Sequence, residues 1–306
     1  MIGVMNEDKT KTVRKAVIAA AGFGTRFLPQ TKAMPKEMLP IVDKPIIQYI
    51  VEELVAAGIE DIVIVTGYHK RSIEDHFDHI SADLRSNLKQ NGKTELLEET
   101  KKISDLANFA YIRQKGPYGT ATPLLNVSHL IGNEPFIYTF ADDLIIAKPN
   151  GFSQMIDLYE ELDGSILPCI TVEQKDDFDR YGFVAGQEIR PGVIKASGII
   201  EKPGADNAPS NMASIGSFLL SPDIFDYLEK GLSNLSEKQE FYLSTFVLEP
   251  MIKDGKSIFG CSLQNSKRYD TGNKLDYLKA VVDFALMHDE LKDDFKKFIQ
   301  GKVNGA

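Results

Sequence analysis

The hydrophobic pattern begins with an apolar run from Ala16 to Ala21, which is long enough to form one buried strand. The stretch from Pro45 to Gly58 repeats its apolar residues at helical spacing and ends at a glycine, so it predicts an amphipathic helix. A second apolar run, from Asp61 to Val65, predicts the next strand. These elements form a βαβ unit, whose crossover is nearly always right-handed and whose ligands bind beyond the carboxyl ends of its strands.

The same alternation continues as far as residue 175. Further strands are predicted at Phe109–Arg113, Pro135–Phe140 and Ser165–Val172, with helices starting at Thr122 and at Phe152. The mostly polar stretch 82–105 predicts a solvated helical hairpin that breaks at Asn91-Gly92. Alternating strands and helices indicate an α/β fold with a mostly parallel sheet that helices cover on both faces.

After Lys175 the pattern changes, and shorter strands replace the regular alternation. The elements predicted there are antiparallel strands at Arg180–Val184 and Val193–Glu201 with turns at Gly186 and Pro191-Gly192, strands at Ser214–Leu220 and Ile258–Leu263, helices at Pro222–Leu228 and Tyr242–Ile252, and two helices between Asn273 and Ile299. No linker composition or internal repeat divides the chain. We therefore expect a single domain, residues 1–306, with approximate halves 14–174 and 175–306.

Charge and composition exclude several classes of protein. The 306 residues carry a net charge of −9, which argues against sequence-independent binding to nucleic acid, since such binding needs a basic surface. No stretch has the length of a membrane span, and residues 1–13 lack the apolar segment of a signal peptide. The two cysteines, Cys169 and Cys261, make neither a disulfide framework nor a zinc site. We expect a cytoplasmic protein without a nucleic-acid or membrane partner.

A glycine-bearing loop follows the first strand and is the strongest chemical signal in the chain. Gly22 to Arg26 supplies two glycines, a hydroxyl and a guanidinium, and such a loop can form a concave nest of N–H groups for an anion. The two glycines alone could equally form a plain tight turn. A dinucleotide-binding loop is disfavoured because Phe27 stands where the third glycine is required and no acid follows the second strand. Pro35-Lys36-Glu37 adds a second cation and a carboxylate on a stiffened loop.

The residues Gly22 to Tyr49, GFGTRFLPQTKAMPKEMLPIVDKPIIQY, closely resemble the signature of the bacterial UTP–glucose-1-phosphate uridylyltransferases, which are sugar-phosphate nucleotidylyltransferases. The likeness continues in family order through Ile62–Gly67, Arg113–Gly116, Ala141–Asp143, Tyr181-Gly182, Glu201–Pro203 and Asp270–Leu275. It implies a glycosyltransferase-A-like nucleotidyltransferase fold, with a Rossmann-like, mostly parallel mixed sheet and a smaller antiparallel sugar-binding portion. It also implies a Mg²⁺-dependent reaction of UTP with glucose 1-phosphate, which gives UDP-glucose and pyrophosphate by direct in-line displacement in a homodimer or homotetramer.

The resemblance further implies a role for individual residues. The catalytic residues would be Arg26, Lys36, Lys202, Asp142 and Asp270, with Asp142 and Asp270 holding the metal. The nucleotide would be bound by Ala20, Ala21, Gly22, Gly24, Thr25, Glu37, Gln114 and Gly119, and the sugar phosphate by Gly182, Glu201, Lys202 and Gly216. Glu37 could instead orient its loop. Asp143 is not expected to share the role of Asp142, because successive strand residues point in opposite directions.

Two segments, 118–123 and 240–245, depart from the commonest pattern of that family. They lack its histidine in the first segment and its Gln and Thr-Asp in the second. Both lie where specificity for the base and for the sugar could be set, so a related enzyme that uses dTTP, CTP or GTP, or another sugar 1-phosphate, stays an alternative. A non-catalytic sugar-nucleotide sensor would be expected to lose Arg26, Lys36, Asp142 or Asp270, and all four are present.

Overall fold

The computed structural model describes residues 13–304, and the polar segment 1–12 that opens the chain lies outside this range. The strands are β1 (Lys15–Ala20), β2 (Pro40–Ile41), β3 (Lys44–Pro45), β4 (Asp61–Thr66), β5 (Asn108–Arg113), β6 (Phe136–Phe140), β7 (Asp143–Ala147), β8 (Ser165–Thr171), β9 (Gly182–Arg190), β10 (Val193–Glu201), β11 (Met212–Ser214), β12 (Phe218–Leu220), β13 (Ile258–Ser262) and β14 (Ser266–Asp270). The α-helices are α1 (Ile46–Ala56), α2 (Arg71–Phe77), α3 (Ala82–Gln90), α4 (Thr94–Ser104), α5 (Thr122–Leu125), α6 (Ser128–Ile131), α7 (Gly151–Leu162), α8 (Ile224–Ser233), α9 (Glu249–Lys253), α10 (Lys274–Met287) and α11 (Lys292–Asn304).

One sheet of ten strands forms the centre of the molecule, in the order β11-β9-β10-β13-β8-β12-β6-β1-β4-β5. Seven of these strands run in one direction, whereas β10, β11 and β12 run against them. The predicted mixed, mostly parallel sheet with an antiparallel portion after residue 175 is therefore confirmed. Because β8 lies between β12 and β13, the two sequence halves share this sheet.

Two apolar clusters cover the two faces of the sheet. Adjacent residues of β1 point to opposite faces, so that Ile18 joins one cluster and Val17 the other. The first cluster contains the buried face of α1, including Ile47, and the second contains residues of α5 and α8. The sheet is thus covered by helices on both sides, as the alternation predicts. Among residues 13–304, no helix is both long and apolar enough to cross a bilayer.

The carboxyl ends of β1, β4, β5 and β6 meet at one edge of the sheet. Ala20 at the end of β1 pairs with Thr66 of β4, and Thr66 pairs with Arg113 of β5. On the other side of β1, Ala19 pairs with Phe140 at the end of β6. This in-phase register places the glycine-bearing loop after β1 beside the loops that follow the other three strands.

A separate two-stranded ribbon, β7 with β14, was not predicted. It pairs Asp143 with Asp270 in antiparallel register. The sequence of β14, Ser-Lys-Arg-Tyr-Asp, is largely polar and therefore gives no strand signal. Its formation decides where Asp270 lies relative to the end of β6.

Two local predictions were wrong. Gly186 lies inside β9 rather than in a turn, close to a shift in the β9–β10 register. The single strand expected at Ser214–Leu220 is divided into β11 and β12, and Ser217 between them has a φ of +85°, which no extended strand tolerates. The helix predicted at Tyr242–Ile252 is confirmed, with a π-helical turn at Ser244–Leu248 that leads into α9. The predicted hairpin at 82–105 is confirmed as α3 and α4.

Candidate active site

The loop after β1 folds back onto the segment that carries Lys36. Gly24 adopts a left-handed conformation with φ of +66°, and a Cβ built on it would lie 3.2 Å from the Cβ of Lys36. The hydroxyl of Thr31 donates a hydrogen bond of 2.7 Å to the Gly24 carbonyl oxygen. Arg26 follows in a short 3-10 turn and is exposed. A side chain at position 24 would meet both strain and close contact, so the turn requires glycine here.

Lys36 forms an ion pair with Asp142, which is the second residue after β6. Burial alone would lower the pKa of Lys36, but the carboxylates of Asp142 and Glu37 outweigh it and raise that pKa above the usual value. Lys36 is consequently a cation at neutral pH. It lies at the mouth of the glycine-bearing loop, where an anionic ligand would meet it.

Asp142, Asp270 and Arg26 converge around Gly272. The N–H and the hydroxyl of Thr271 donate to the carbonyl oxygen of Asp142 at 3.0 Å and 2.6 Å, which fixes the turn after β14 against the end of β6. A Cβ built on Gly272 would lie 2.7 Å from Oδ2 of Asp142, 3.1 Å from Oδ1 of Asp270 and 3.2 Å from Nη1 of Arg26. Two carboxylates and a guanidinium therefore face one small space that only glycine leaves open.

Asp143 points elsewhere and has a different partner. Arg268 of β14 contacts its carboxylate with Nε at 2.6 Å and Nη2 at 3.1 Å. Burial raises the pKa of Asp143 to about 6, although Arg268 opposes the shift. This paired, buried carboxylate fits a structural role in the ribbon, as the alternation along the chain predicts.

Three adjoining cavities line this edge of the sheet. The glycine-loop cavity, of about 150 Å³, is lined by Gly22, Phe23, Gly24, Thr25, Arg26, Phe27, Lys36, Asp142 and Gly272. The β1–β5 cavity, of about 220 Å³, shares four residues with it, namely Gly22, Phe23, Lys36 and Asp142, and adds Ala19, Ala21, Gln114, Tyr118, Gly119, Thr120, Pro123 and Phe140. The β9–β10 cavity, of about 200 Å³, shares Thr120 and Phe140 with the second and includes Arg180, Tyr181, Gly182, Glu201, Lys202, Gly216, Tyr242 and Ser244. The shared walls make one continuous site.

The residues predicted for each ligand fall into separate cavities. Those predicted for the nucleotide line the first two cavities, namely Ala21, Gly22, Gly24, Thr25, Gln114 and Gly119, and those predicted for the sugar phosphate line the third, namely Gly182, Glu201, Lys202 and Gly216. Ala20 ends β1 with a buried side chain, so that only its backbone is near the site. Asp270 reaches the site from the ribbon beside Gly272.

Glu37, like Ala20, is predicted to bind nucleotide but does not line any of the three cavities. Its side chain is 0% exposed and accepts a hydrogen bond of 2.6 Å from the ammonium group of Lys70. Burial raises the pKa of Glu37 and lowers that of Lys70, and their pairing opposes both shifts. This enclosure and the contact with Lys70 favour the alternative prediction, in which Glu37 orients the loop beside Lys36.

On the far side of the site, polar groups surround the β9–β10 cavity. The hydroxyl of Ser244 donates a hydrogen bond of 2.9 Å to Glu201. The ammonium group of Lys202 lies 5.5 Å from the ring centre of Tyr242. Arg180 extends along the cavity towards the ribbon and places Nη2 3.7 Å from Oδ2 of Asp270. A ligand in this cavity would therefore meet two cations and a fixed carboxylate.

Known proteins share this sequence over nearly its whole length. The family described as Nucleotidyl transferase matches residues 15–285. The UTP–glucose-1-phosphate uridylyltransferase of Bacillus subtilis (strain 168) is 44% identical over 294 residues, which cover 96% of this chain and 98% of that protein. The chain belongs to the UTP–glucose-1-phosphate uridylyltransferase family.

Solved structures of this uridylyltransferase family share the fold. A UDP-glucose pyrophosphorylase complexed with UDP-glucose is 38% identical and superposes with a TM-score of 0.77 over 90% of this chain and 100% of that chain. A UTP-bound UGPase from Acinetobacter baumannii is 34% identical, with a TM-score of 0.84 over 94% of this chain and 99% of that chain. The family match, the sequence identity and the shared fold thus make the chain an enzyme of the nucleotidyltransferase class.

The two segments in which this uridylyltransferase departs from the common pattern lie against each other. The N–H of Phe241 donates to the Tyr118 carbonyl at 2.7 Å, and the N–H of Ala121 donates to the Phe241 carbonyl at 2.9 Å. The N–H of Leu243 donates to Oγ1 of Thr120 at 3.0 Å. The segments 118–123 and 240–245 therefore form one hydrogen-bonded seam, a contact between the two segments that lies at the boundary of the β1–β5 and β9–β10 cavities.

Sequence reasoning missed several residues of this uridylyltransferase site. Arg180 immediately precedes the quoted pair Tyr181-Gly182, and this adjacency was the available signal. Lys70 and Arg268 had no local signal, because each pairs with a buried carboxylate that is distant in the sequence. Lys70 pairs with Glu37, and Arg268 pairs with Asp143.

The carboxylates of Asp142 and Asp270 fit a divalent cation. Both face the space beside Gly272 that a side chain would fill. Within residues 13–304 no cluster of three or more His, Cys, Asp or Glu side chains could enclose a metal ion by itself. Two carboxylates without further protein ligands suit Mg²⁺, since this ion usually takes one or two carboxylates and completes its shell with substrate phosphates and water.

Proposed function

We propose that this chain transfers the uridylyl group of UTP to α-D-glucose 1-phosphate and releases UDP-glucose and pyrophosphate. The observation that carries the proposal is the shared wall of Thr120 and Phe140, with residues suited to a nucleotide on one side and residues suited to a sugar phosphate on the other. Relatives whose names specify this reaction, and solved relatives that hold UTP or UDP-glucose, support it.

The reaction is a direct in-line displacement. A phosphate oxygen of glucose 1-phosphate attacks the α-phosphorus of UTP, the new P–O bond forms, and the bond from that phosphorus to the pyrophosphate oxygen breaks. The protein contributes positioning and charge compensation, because both substrates are anions and the chain itself is acidic. Arg26 and Lys36 would offset the charge of the triphosphate and of the departing pyrophosphate. Lys202, with Arg180 beside it, would hold the sugar phosphate.

Polar groups of the site would select the two substrates. On the nucleotide side, the backbone of Ala20 to Gly22, the amide of Gln114 and the backbone of Gly119 would recognise the edge of the uracil ring. On the sugar side, Glu201 would accept hydrogen bonds from sugar hydroxyls, held by Ser244. Gly182 and Gly216, which line the β9–β10 cavity, would let the sugar ring approach the backbone.

Mg²⁺ is the proposed cofactor, with Asp142 and Asp270 as its protein ligands. When bound there, the ion would supply positive charge that offsets part of the charge of the substrate phosphates. Asp142 and Asp270 contact Lys36 and Arg180 respectively, so these two cations already compensate the carboxylates. Lys36 and Arg180 also line the cavities proposed for the two substrates, where their charge would face the phosphates.

A substrate matrix tests the function. Five nucleoside triphosphates are each combined with several hexose 1-phosphates, and pyrophosphate release is measured with and without Mg²⁺. We expect UTP with glucose 1-phosphate to give the highest rate, and Asp142→Asn and Asp270→Asn each to suppress it strongly with unchanged circular dichroism. A higher rate with another pair would favour the alternative left open by the segments 118–123 and 240–245. Absence of turnover with every pair would refute the proposal.

We further propose one domain, residues 1–306, in which the half 14–174 binds nucleotide and the half 175–306 binds the sugar phosphate. The enzyme would act in the cytoplasm as a homodimer or homotetramer. Exposed apolar side chains along α10, namely Leu275, Leu278 and Val282, support self-association with a second copy of the chain. Light scattering during gel filtration would test this, with Leu278→Glu expected to shift the assembly towards the monomer.

A further inference from the structure

Two exposed aromatic rings stand together at the mouth of the β1–β5 cavity. Phe23 belongs to the glycine-bearing loop after β1, and Tyr118 belongs to the loop after β5. Their ring centres are 5.9 Å apart at an angle of 61°, an edge-to-face contact. Phe23 is nevertheless 68% exposed and Tyr118 66% exposed. Because these rings are exposed to water at the rim of a cavity, a ligand that covers them is bound more tightly through the burial of apolar surface.

Both rings are held by backbone that is fixed in place. The N–H of Phe241 donates to the carbonyl of Tyr118 at 2.7 Å, and the next residue, Gly119, has a φ of +140°. A Cβ built on Gly119 would lie 2.3 Å from the carbonyl oxygen of Phe241, so the backbones of these two segments are in direct contact there. Gly24, which follows Phe23, packs against Lys36. The backbone that carries both rings is therefore anchored against neighbouring segments of the site.

The polar groups next to the rings suit a nucleotide. Gln114 and Gly119 line the same cavity as the rings. Lys36 lines both this cavity and the glycine-loop cavity. A nucleotide whose phosphates met Lys36 and whose base edge met Gln114 would extend through the cavity that Phe23 and Tyr118 also line. Because the two rings touch each other, the base would lie on their cavity side and not between them.

We infer that Phe23 and Tyr118 form an aromatic wall on which the base of the nucleoside triphosphate stacks. This inference rests on the proposed function and assigns a separate task within it. Stacking tolerates every base, since every base has a π-face, so the wall supplies affinity. Choice among bases is left to hydrogen bonds at the base edge, where Gln114 lies.

The absence of tryptophan from the sequence allows a direct optical test. Phe23→Trp and Tyr118→Trp each introduce a single indole into the wall, and UMP, UTP and UDP-glucose are titrated while its fluorescence is recorded. The matched control is Tyr68→Trp, because Tyr68 is 76% exposed at the end of β4, beside His69, and does not line the cavity. We expect saturable quenching in both wall variants and none in the control. Absence of saturable change in both wall variants while they turn over UTP would overturn the inference.

Steady-state kinetics give the second test. Phe23→Leu and Tyr118→Leu are expected to raise KM for UTP about tenfold, the lower part of the range for loss of one base–aromatic stack, with a much smaller change in kcat. Tyr118→Phe keeps the ring and should lose far less affinity than Tyr118→Leu. The ratio of kcat/KM for UTP over CTP should stay constant in the wall variants but change in Gln114→Ala. Unchanged KM in both leucine variants, or a changed ratio, would contradict the stacking role.

The two proposals fail in different ways. If the parent protein shows no turnover with any substrate pair, the proposed function is wrong, yet quenching by UMP would still support the wall. If turnover is normal and UMP leaves both indoles unaffected, the wall is wrong and the function stands.

Discussion

Replacement of Lys70 by methionine should destabilise this protein strongly, although Lys70 lies in a loop. Lys70 is 6% exposed and its partner Glu37 is 0% exposed, with their charged atoms 2.6 Å apart. Oε1 of Glu37 has no hydrogen-bond partner among the described residues, so Lys70 provides the main compensation for this carboxylate. Removal of one member of a buried pair leaves an uncompensated charge and typically costs about 3–5 kcal/mol of the free energy of unfolding. We expect a loss of this size at pH 8.

The loss should depend on pH in a definite direction. Burial already raises the pKa of Glu37 above its ordinary value of 4.5, and Lys70 opposes that shift. Without Lys70 the pKa rises further, so the folded Lys70→Met protein retains a proton that the unfolded chain releases. Its free energy of unfolding therefore falls as pH increases from 4.5 up to the folded pKa, by about 1.4 kcal/mol for each unit of that interval. The variant should be closer to the parent at pH 5 than at pH 8.

Urea unfolding at pH 5 and pH 8, followed by circular dichroism, measures both effects. The double variant Glu37→Leu/Lys70→Met should recover most of the stability, because no buried charge is then left alone. Lys101→Met is the matched control, since Lys101 pairs with Glu98 on the surface and its loss should change little. The reasoning would be refuted if Lys70→Met behaved like Lys101→Met, or if it lost the same stability at both pH values.

Three further predictions concern the walls of the site. Gly119→Ala should lower the melting temperature and impair turnover, because its Cβ would lie 2.3 Å from the Phe241 carbonyl oxygen; normal melting would contradict this. Ser244→Ala removes the hydrogen-bond donor to Glu201, so KM for glucose 1-phosphate should rise severalfold while KM for UTP stays constant. Lys202→Met should reduce turnover about a hundredfold, in line with the loss of one charge-stabilising donor, and should weaken the binding of the sugar phosphate. An effect of Lys202→Met on UTP affinity alone would be incompatible with its assignment.

Much of this protein could be predicted because the relevant information is contiguous in the chain. The apolar run that becomes β1 and the helical spacing of α1 predict the first βαβ unit to within a residue or two at each end. The residues from Gly22 to Tyr49 form one unbroken motif, so both its loop and its family could be read directly. Side-chain periodicity and backbone preferences act between neighbours, and a sequence displays neighbours in order.

The tertiary structure decided how distant residues combine. The polar strand β14 pairs with β7, which brings Asp270 to the same small space as Asp142. The carboxylate of Glu37 is enclosed and pairs with Lys70, which lies 33 positions further along the chain. The segments 118–123 and 240–245 become one seam through hydrogen bonds between their backbones. Each of these contacts depends on chain packing and charge burial between residues that no local pattern relates, so it exists only once the whole sheet is assembled.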